Sequence, residues 1–463
     1  MNIQHYVTEE KYSIFAGEAW PSYQEFLAGE RTGDEKIQQE IENLIEDCRR
    51  QGVVFPIKTE TACQSKWTWS TIWLNHRATA SCHRVNMEPI PLADFDNFHN
   101  LPQKINDRRL MLEGKWPGRG CEYCRNIELA GGHSDRQHNT AMTGLAPPEL
   151  IEDCTAVVVT PRIVELFAYN TCNMSCVYCD DALSSVIANE NTKFGGFNRG
   201  GVTISVPRKY PDISEYYEKF FQWLSKNIST LKRLHLLGGE TFLQHDLMNR
   251  VIEELRNNPN PDLILDIFSN FNPPEKFWKK YLTDIKQLVR GGMIKRLDLT
   301  VSIDCWGKEA EYVRTGLDLE LLDERFAWAA TQNGDWLNLH VNQTITPMTM
   351  RTMPELIEKM NSYSNRAHIG HYFELYIGPN QFMNPKIFSY SMWENDFNKI
   401  FEVMPTQTVE HQESVLRMQG IQKFLKEYTE HDYAEIQKMK IYFDELDRRR
   451  GTNWRALFSY LDI

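Results

Sequence analysis

The chain has 463 residues, which points to two or three domains. Its 41% hydrophobic and 12% aromatic content is ample for packed cores and argues against disorder. With 51 basic against 63 acidic side chains the net charge is −12, which argues against a large sequence-neutral nucleic-acid footprint while leaving room for a local basic groove.

The N-terminal stretch MNIQHYVTEEKYSIF has no basic segment leading into an apolar one. No apolar run approaches the roughly 18 residues that span a bilayer. A soluble, cytoplasmic protein with no membrane partner is expected. Ten cysteines, several of them clustered, then favour metal binding or catalysis over disulfides.

Residues 1–55 read as a helical arm, with Ile37, Ile41 and Ile45 on one face. Residues 56–150 hold four cysteines, several tryptophans and turn signals such as WPGRGC and AGGHS, which suits a small, irregular, cysteine-stapled module. Cys63, Cys82 and the C-x2-C pair Cys121 and Cys124 make a full ligand set for a tetrahedral zinc or an iron–sulfur cluster, with His76 or His83 as substitutes for one thiolate. The following LAGGHSDR offers His133, Ser134 and Arg136 and reads as a solvated turn.

From residue 160 short β-branched runs alternate with helical ones. RIVELFAY, LKRLHLL, LILDIFS, IKRLDLTVSI, WLNLHVNQTI and YFELYI read as six strands, so a parallel α/β layer over 160–380 is expected, curled into a full or partial (β/α)6 barrel. Ser214 is the expected N-cap of a helix whose stripe is Tyr216, Phe220, Leu224 and Ile228. FGGFNRGG reads as a flexible surface loop, or as a lid over the site. Residues 390–463 are helical, with Ile436, Met439, Phe443 and Leu446 inward, Gly451 as cap and DRRRGTNWR as a solvated basic end. Cys48, Cys154 and Cys305 read as small buried hydrophobes.

The most informative stretch is FAYNTCNMSCVYCDD, just after the first strand, where α/β folds place their sites. Cys172, Cys176 and Cys179 give three thiolates for a four-iron cluster, leaving one iron open to an external ligand. A zinc site with a distant fourth ligand, or unliganded thiols, is the alternative.

CNMSCVYC resembles the C-x3-C-x-aromatic-C signature of the radical S-adenosylmethionine (radical-SAM) superfamily. That resemblance implies a [4Fe-4S] cluster whose open iron takes the amine and carboxylate of S-adenosylmethionine. It also implies reductive cleavage to a 5′-deoxyadenosyl radical that abstracts hydrogen from substrate, with electrons from a donor such as flavodoxin or ferredoxin. Tyr178 falls on the aromatic position near the cluster and adenine. LHLLGGETFL resembles the family's GGE motif, which gives Gly238, Gly239 and Glu240 to the SAM ammonium. FSNFN and VSIDCWGKEAEYVRTG resemble the segments that meet the ribose and carboxylate, which gives Ser269, Asn270, Ser302 and Arg314, the last for its bidentate fork. Asn342 and Thr344 of VNQTITP are the least distinctive matches, and Asp304 reads equally as structural. The 56–150 module resembles the twitch or truncated SPASM modules that carry an auxiliary [4Fe-4S] cluster, except that it precedes the catalytic domain and has SCHR where proline-preceded cysteine pairs are usual. The whole reading is therefore an oxidoreductase-type enzyme that modifies a peptide or protein. Oxidation of a small molecule such as an amino sugar or alcohol, or a non-catalytic metal-binding interaction protein, are the alternatives. No catalytic acid or base is assigned.

Overall fold

The computed structural model describes residues 61, 63–82, 84–118, 120–129, 134–136, 157–207, 209–364 and 367–463. The expected arm over 1–55, and Cys48, Cys154, His83 and His133, lie outside them. The chain divides into two compact units. One takes the described residues up to 72, 77–165 and 230–232; the other takes 73–76, 166–229 and 233–463.

The first unit opens with α1 (Gln64–Thr68), β1 (Trp69–Trp73), β2 (Ala78–Ala80) and β3 (Glu88–Pro89), followed by α2 (Pro102–Leu112) and α3 (Glu122–Leu129). β2 and β3 are antiparallel, with Thr79 opposite Glu88. Pro102 suits the first turn of α2, where its missing N–H would have had no partner. α2 buries charge: the Arg108 guanidinium donates to the carbonyls of Lys66, His99 and Val157 and to Asn100 Oδ1. With four of its five N–H donors bonded, a fully buried guanidinium is tolerated. Trp67, Met111 and Cys121 form the core beside them. β4 (Ile163–Phe167) carries the chain from the first unit into the second.

The second unit begins with the two-residue strand β5 (Ser175–Cys176), α4 (Ser185–Phe194), the hairpin β6 (Phe197–Arg199) and β7 (Val202–Ile204), and α5 (Ser214–Asn227). Then β8 (Arg233–Leu237), α6 (His245–Asn257), β9 (Asn260–Ser269), α7 (Glu275–Arg290), β10 (Ile294–Ser302), α8 (Lys308–Val313), β11 (Arg314–Thr315), α9 (Leu319–Gln332), β12 (Leu337–Ile345), α10 (Met353–Asn361) and β13 (Gly370–Leu375) alternate. All six expected strands form. β8, β9, β10, β12 and β13 are parallel neighbours in that order. Their side chains alternate in period two. Leu265, Ile267, Leu297, Leu299, Val301, Leu339 and Val341 are buried on one face. The opposite face is polar and, toward the strands' C-terminal ends, half-open at Phe268, Ser302, Asn342 and Glu374. Amphipathic crossovers supply the cover: α7 buries Trp278, Tyr281, Leu282, Ile285 and Leu288 at helical spacing.

The C-terminal helices α11 (Glu394–Val403), α12 (Val409–Leu425), α13 (Tyr433–Arg450) and α14 (Trp454–Leu457) bury Trp393, Met439, Phe443, Leu446 and Trp454 in one core. α12 shields the outer strand. His411 Nε2 lies 3.1 Å from the Ile369 carbonyl, Ser414 Oγ donates to His371 O and Arg417 Nε to Phe373 O. Those carbonyls would otherwise invite a further strand. Gly451 closes α13 in the left-handed conformation, as expected.

Three expectations need correction. Ser214 is not the cap of α5; Asp212 Oδ1 accepts from both its N–H and its hydroxyl. FGGFNRGG is not an irregular loop. It forms the β6–β7 hairpin, whose turn puts Gly200 and Gly201 at φ 58° and 80°, and a side chain at Gly200 would strike Ile441 of α13. The basic end of α13 is solvated only in part: Arg448 and Arg455 are exposed, but Arg449 bonds Glu445, Asn191 and Gly195 O, and Arg450 pairs with Glu190. None of the described helices is long and apolar enough to cross a membrane.

Candidate functional site

The loop after β4 is built by its neighbours. Gly239 N donates to Tyr169 O at 3.1 Å and Glu240 N to Thr171 O at 2.7 Å. A Cβ on Gly238 would sit 2.6 Å from Tyr169 O, and one on Gly239 would collide with Thr171 O. The two glycines thus allow close backbone approach, and what they approach is the cysteine loop itself. After β11, Gly316 does the same: a Cβ there would lie 2.9 Å from Asn173 O.

Side chains finish the cradle. Asn173, between the first two cysteines, takes a 2.8 Å hydrogen bond from Asn270 and donates to Asn272 O. Ser184 caps α4 and donates to Met174 O at 2.6 Å; Ser185 N donates to Asn170 O and Ser185 Oγ meets Cys172 N at 3.1 Å. β5 pairs with β11, setting Cys176 opposite Arg314. Tyr442 of α13 donates to Val177 O. Segments following β4, β8, β9 and β10 therefore all converge on one loop, whose three thiols remain partly exposed.

The expected residues divide. Glu240 is fully buried and accepts from Ser269 Oγ (2.7 Å), Asn270 N (2.7 Å) and Phe242 N (3.1 Å). It fastens the end of β8 to that of β9, with Ser269 and Asn270 as its partners. Burial pushes its carboxyl up to about 7, the three donors partly offsetting this. Arg314 is also spoken for. Its Nε and Nη2 grip Asp304 at 2.9 and 2.8 Å, so the fork reserved in sequence for a ligand carboxylate holds a carboxylate of the chain. Its Nη1 lies 4.0 Å from Cys176 Sγ. Asp304 is a hub, accepting also from Tyr178 Oη at 2.7 Å and Thr344 N at 2.8 Å. Ser302 and Asn342 lie half-buried on the open sheet face. Burial pushes the Cys172 thiol up to about 12 and raises those of Cys176 and Cys179, with the Arg314 charge opposing it at Cys176.

In the first unit Cys63, Cys82, Cys121 and Cys124 line one cavity with Lys66, Arg84, Met111, Trp116 and Arg136. Three ion pairs lie around the thiols: Lys66 to Asp107 at 2.6 Å and Arg84 to Asp135, both buried, and Arg136 to Glu128 at 2.5 Å, half-buried. Ser134 also donates to Glu128 and is buried, so Ser134 and Arg136 are not part of a solvated turn. Burial pushes Cys82 up to about 11 and Cys121 to about 12. His76 belongs to the second unit, edge-on to Tyr210, and does not line this cavity. Cys305 is buried, as a small hydrophobe would be. Among the described residues, no group of three His, Cys, Asp or Glu side chains converges to hold a single metal ion.

The ion pairs of the cavity and the polar row on the open sheet face were missed in sequence. Isolated Lys, Asp or His letters inside helix and strand patterns carry no signal of burial.

No protein-family model matches the chain. No curated protein matches it either. Four chains of solved structures do. One is the crystal structure of Streptococcus suis SuiB bound to precursor peptide SuiA, at 12% identity and a TM-score of 0.33. The match covers 68% of this chain and 63% of that one.

Proposed function

We propose that the chain is a radical-SAM enzyme acting on a peptide or protein, with the second unit as a partial barrel and the four-thiol cavity as an auxiliary iron–sulfur site. The observation that supports it is the cradle. Backbone after β8, β9 and β11 is spent on fixing a loop that presents three cysteines and no fourth. A structural zinc would need a closed set of ligands, whereas three thiolates leave an open position.

Cys172, Cys176 and Cys179 would hold a [4Fe-4S] group, which when reduced supplies the electron that cleaves S-adenosylmethionine. The half-open face carrying Ser302 and Asn342 would receive the nucleoside and substrate. The geometry divides the roles that resemblance assigned. Gly238, Gly239, Glu240, Ser269 and Asn270 hold the loop, and Tyr178 and Arg314 hold Asp304 beside it. Cys63, Cys82, Cys121 and Cys124, which line one cavity, would hold the auxiliary group. A reduced flavodoxin or ferredoxin would supply the electrons.

Cys176→Ala should abolish SAM-dependent release of 5′-deoxyadenosine while leaving circular dichroism and Tm unchanged. Release that persists in the variant would overturn the assignment.

A further inference from the structure

Beneath the half-open rim of this sheet face lie buried side chains that the proposed function leaves unused. By parallel register, His235 of β8, Asp266 of β9, Asp298 and Thr300 of β10, His340 of β12 and Tyr372 of β13 share this face. Most of its charge is matched internally. Arg233 Nη1 lies 2.9 Å from Asp298 and 3.2 Å from Asp266, and Arg296 Nε lies 2.6 Å from Asp298. Two carboxylates thus face two guanidiniums.

Thr300 and His340 each leave one atom unmatched. His340 Nε2 and Thr300 Oγ1 have no hydrogen-bond partner among the described residues, although the side chains' residues are only 5% and 1% exposed. Thr300 and His340 are register partners on adjacent strands, so they stand side by side. The imidazole is held in place. Its Nδ1 lies 3.1 Å from the Tyr372 hydroxyl and the two rings stack at 5.1 Å. Its other register partner is Gly370, where any Cβ would strike Nδ1. Burial lowers the pKa of His340, with Asp298 opposing, so the ring is neutral near pH 7. Buried polar atoms left without a partner cost stability unless something pairs with them.

We propose that Thr300 and His340 bind an uncharged group that both donates and accepts, of the amide class, carried by the substrate. A hydroxyl does both, and neutral Nε2 does either according to tautomer. An amide presents a carbonyl and an N–H together. Asp266 and Asp298 are already paired with Arg233 and Arg296, so the face holds no uncompensated charge for an ionic ligand to match. Calling this ligand the substrate rests on the proposed function; the site itself does not.

The test uses the full chain after anaerobic cluster reconstitution, labelled with 15N-histidine, with the His340 signal assigned through His340→Gln. N-acetylglycine N-methylamide is titrated, with acetate and methylammonium as charged probes. The His340 signal should shift saturably with the amide alone, and Thr300→Val should weaken that response about tenfold. An equal response in Thr300→Val, a stronger response to either charged probe, or none to the amide would overturn the proposal; the last would leave the two atoms to a buried water. Iron content and SAM cleavage are measured on the same sample. Their absence with the amide response intact would overturn the proposed function and leave this site standing.

Discussion

The loop of Cys172, Cys176 and Cys179 and the cavity of Cys63, Cys82, Cys121 and Cys124 hold their thiols by opposite means. Around the loop the work is done by backbone: Gly238, Gly239 and Gly316 bring chain against chain, and neutral Asn and Ser side chains join the segments. One ion pair, Arg314 to Asp304, stands nearby. Around the cavity the work is done by charge, in the ion pairs of Lys66, Arg84 and Arg136. A backbone cradle fixes geometry and leaves the thiols partly open. Paired charge sets the field around whatever the thiols hold.

That contrast is breakable. The largest effect is expected at the cavity. Lys66→Met strands Asp107 without its partner in a buried setting and should cost about 3–5 kcal/mol in urea unfolding. Lys66→Met combined with Asp107→Leu should recover much of it. If the single variant costs little, the charged pairs do not hold the cavity.

Next is the pH dependence carried by Glu240. Its carboxyl titrates at about 7 folded against an ordinary 4.5. The folded state therefore keeps its proton while the unfolded state loses it. Stability from this group is complete below pH 4.5 and is lost as pH rises to 7, by about 3 kcal/mol in all. Glu240→Gln should remove that slope from the pH profile of unfolding. An unchanged slope would place its source elsewhere.

Smaller again is the glycine approach. Gly239→Ala must push the Thr171 carbonyl aside, at about 1–3 kcal/mol, and should lower iron retention at the loop while sparing the cavity. Equal loss from both sites would mean that they are not independent. The smallest effect is at Gly451, where alanine in the left-handed cap should cost about 1 kcal/mol in Tm-derived stability with both sites intact.

What could be read in the sequence follows the same divide. The six strands were legible because buried β-branched and leucine runs alternate with helical stripes, and the cysteine loop because its thiols and glycines are contiguous. Ser214 misled because Asp212, two residues earlier, competes for the same orphan N–H groups. FGGFNRGG looked loose because α13, which it packs against, lies more than 200 residues later in sequence. Arg314 looked ready for a ligand because its partner, Asp304, reads as an ordinary acid in a loop. Lys66, Asp107, Thr300 and His340 were invisible, since burial of a polar side chain depends on tertiary neighbours that no local spacing records.

The most direct test of the central claim is iron and zinc per chain after anaerobic purification and reconstitution, with spectra of the dithionite-reduced protein. The account predicts about eight irons and two distinguishable signals, the loop's alone lost in Cys172→Ala and the cavity's alone in Cys121→Ala. Zinc without iron would contradict it.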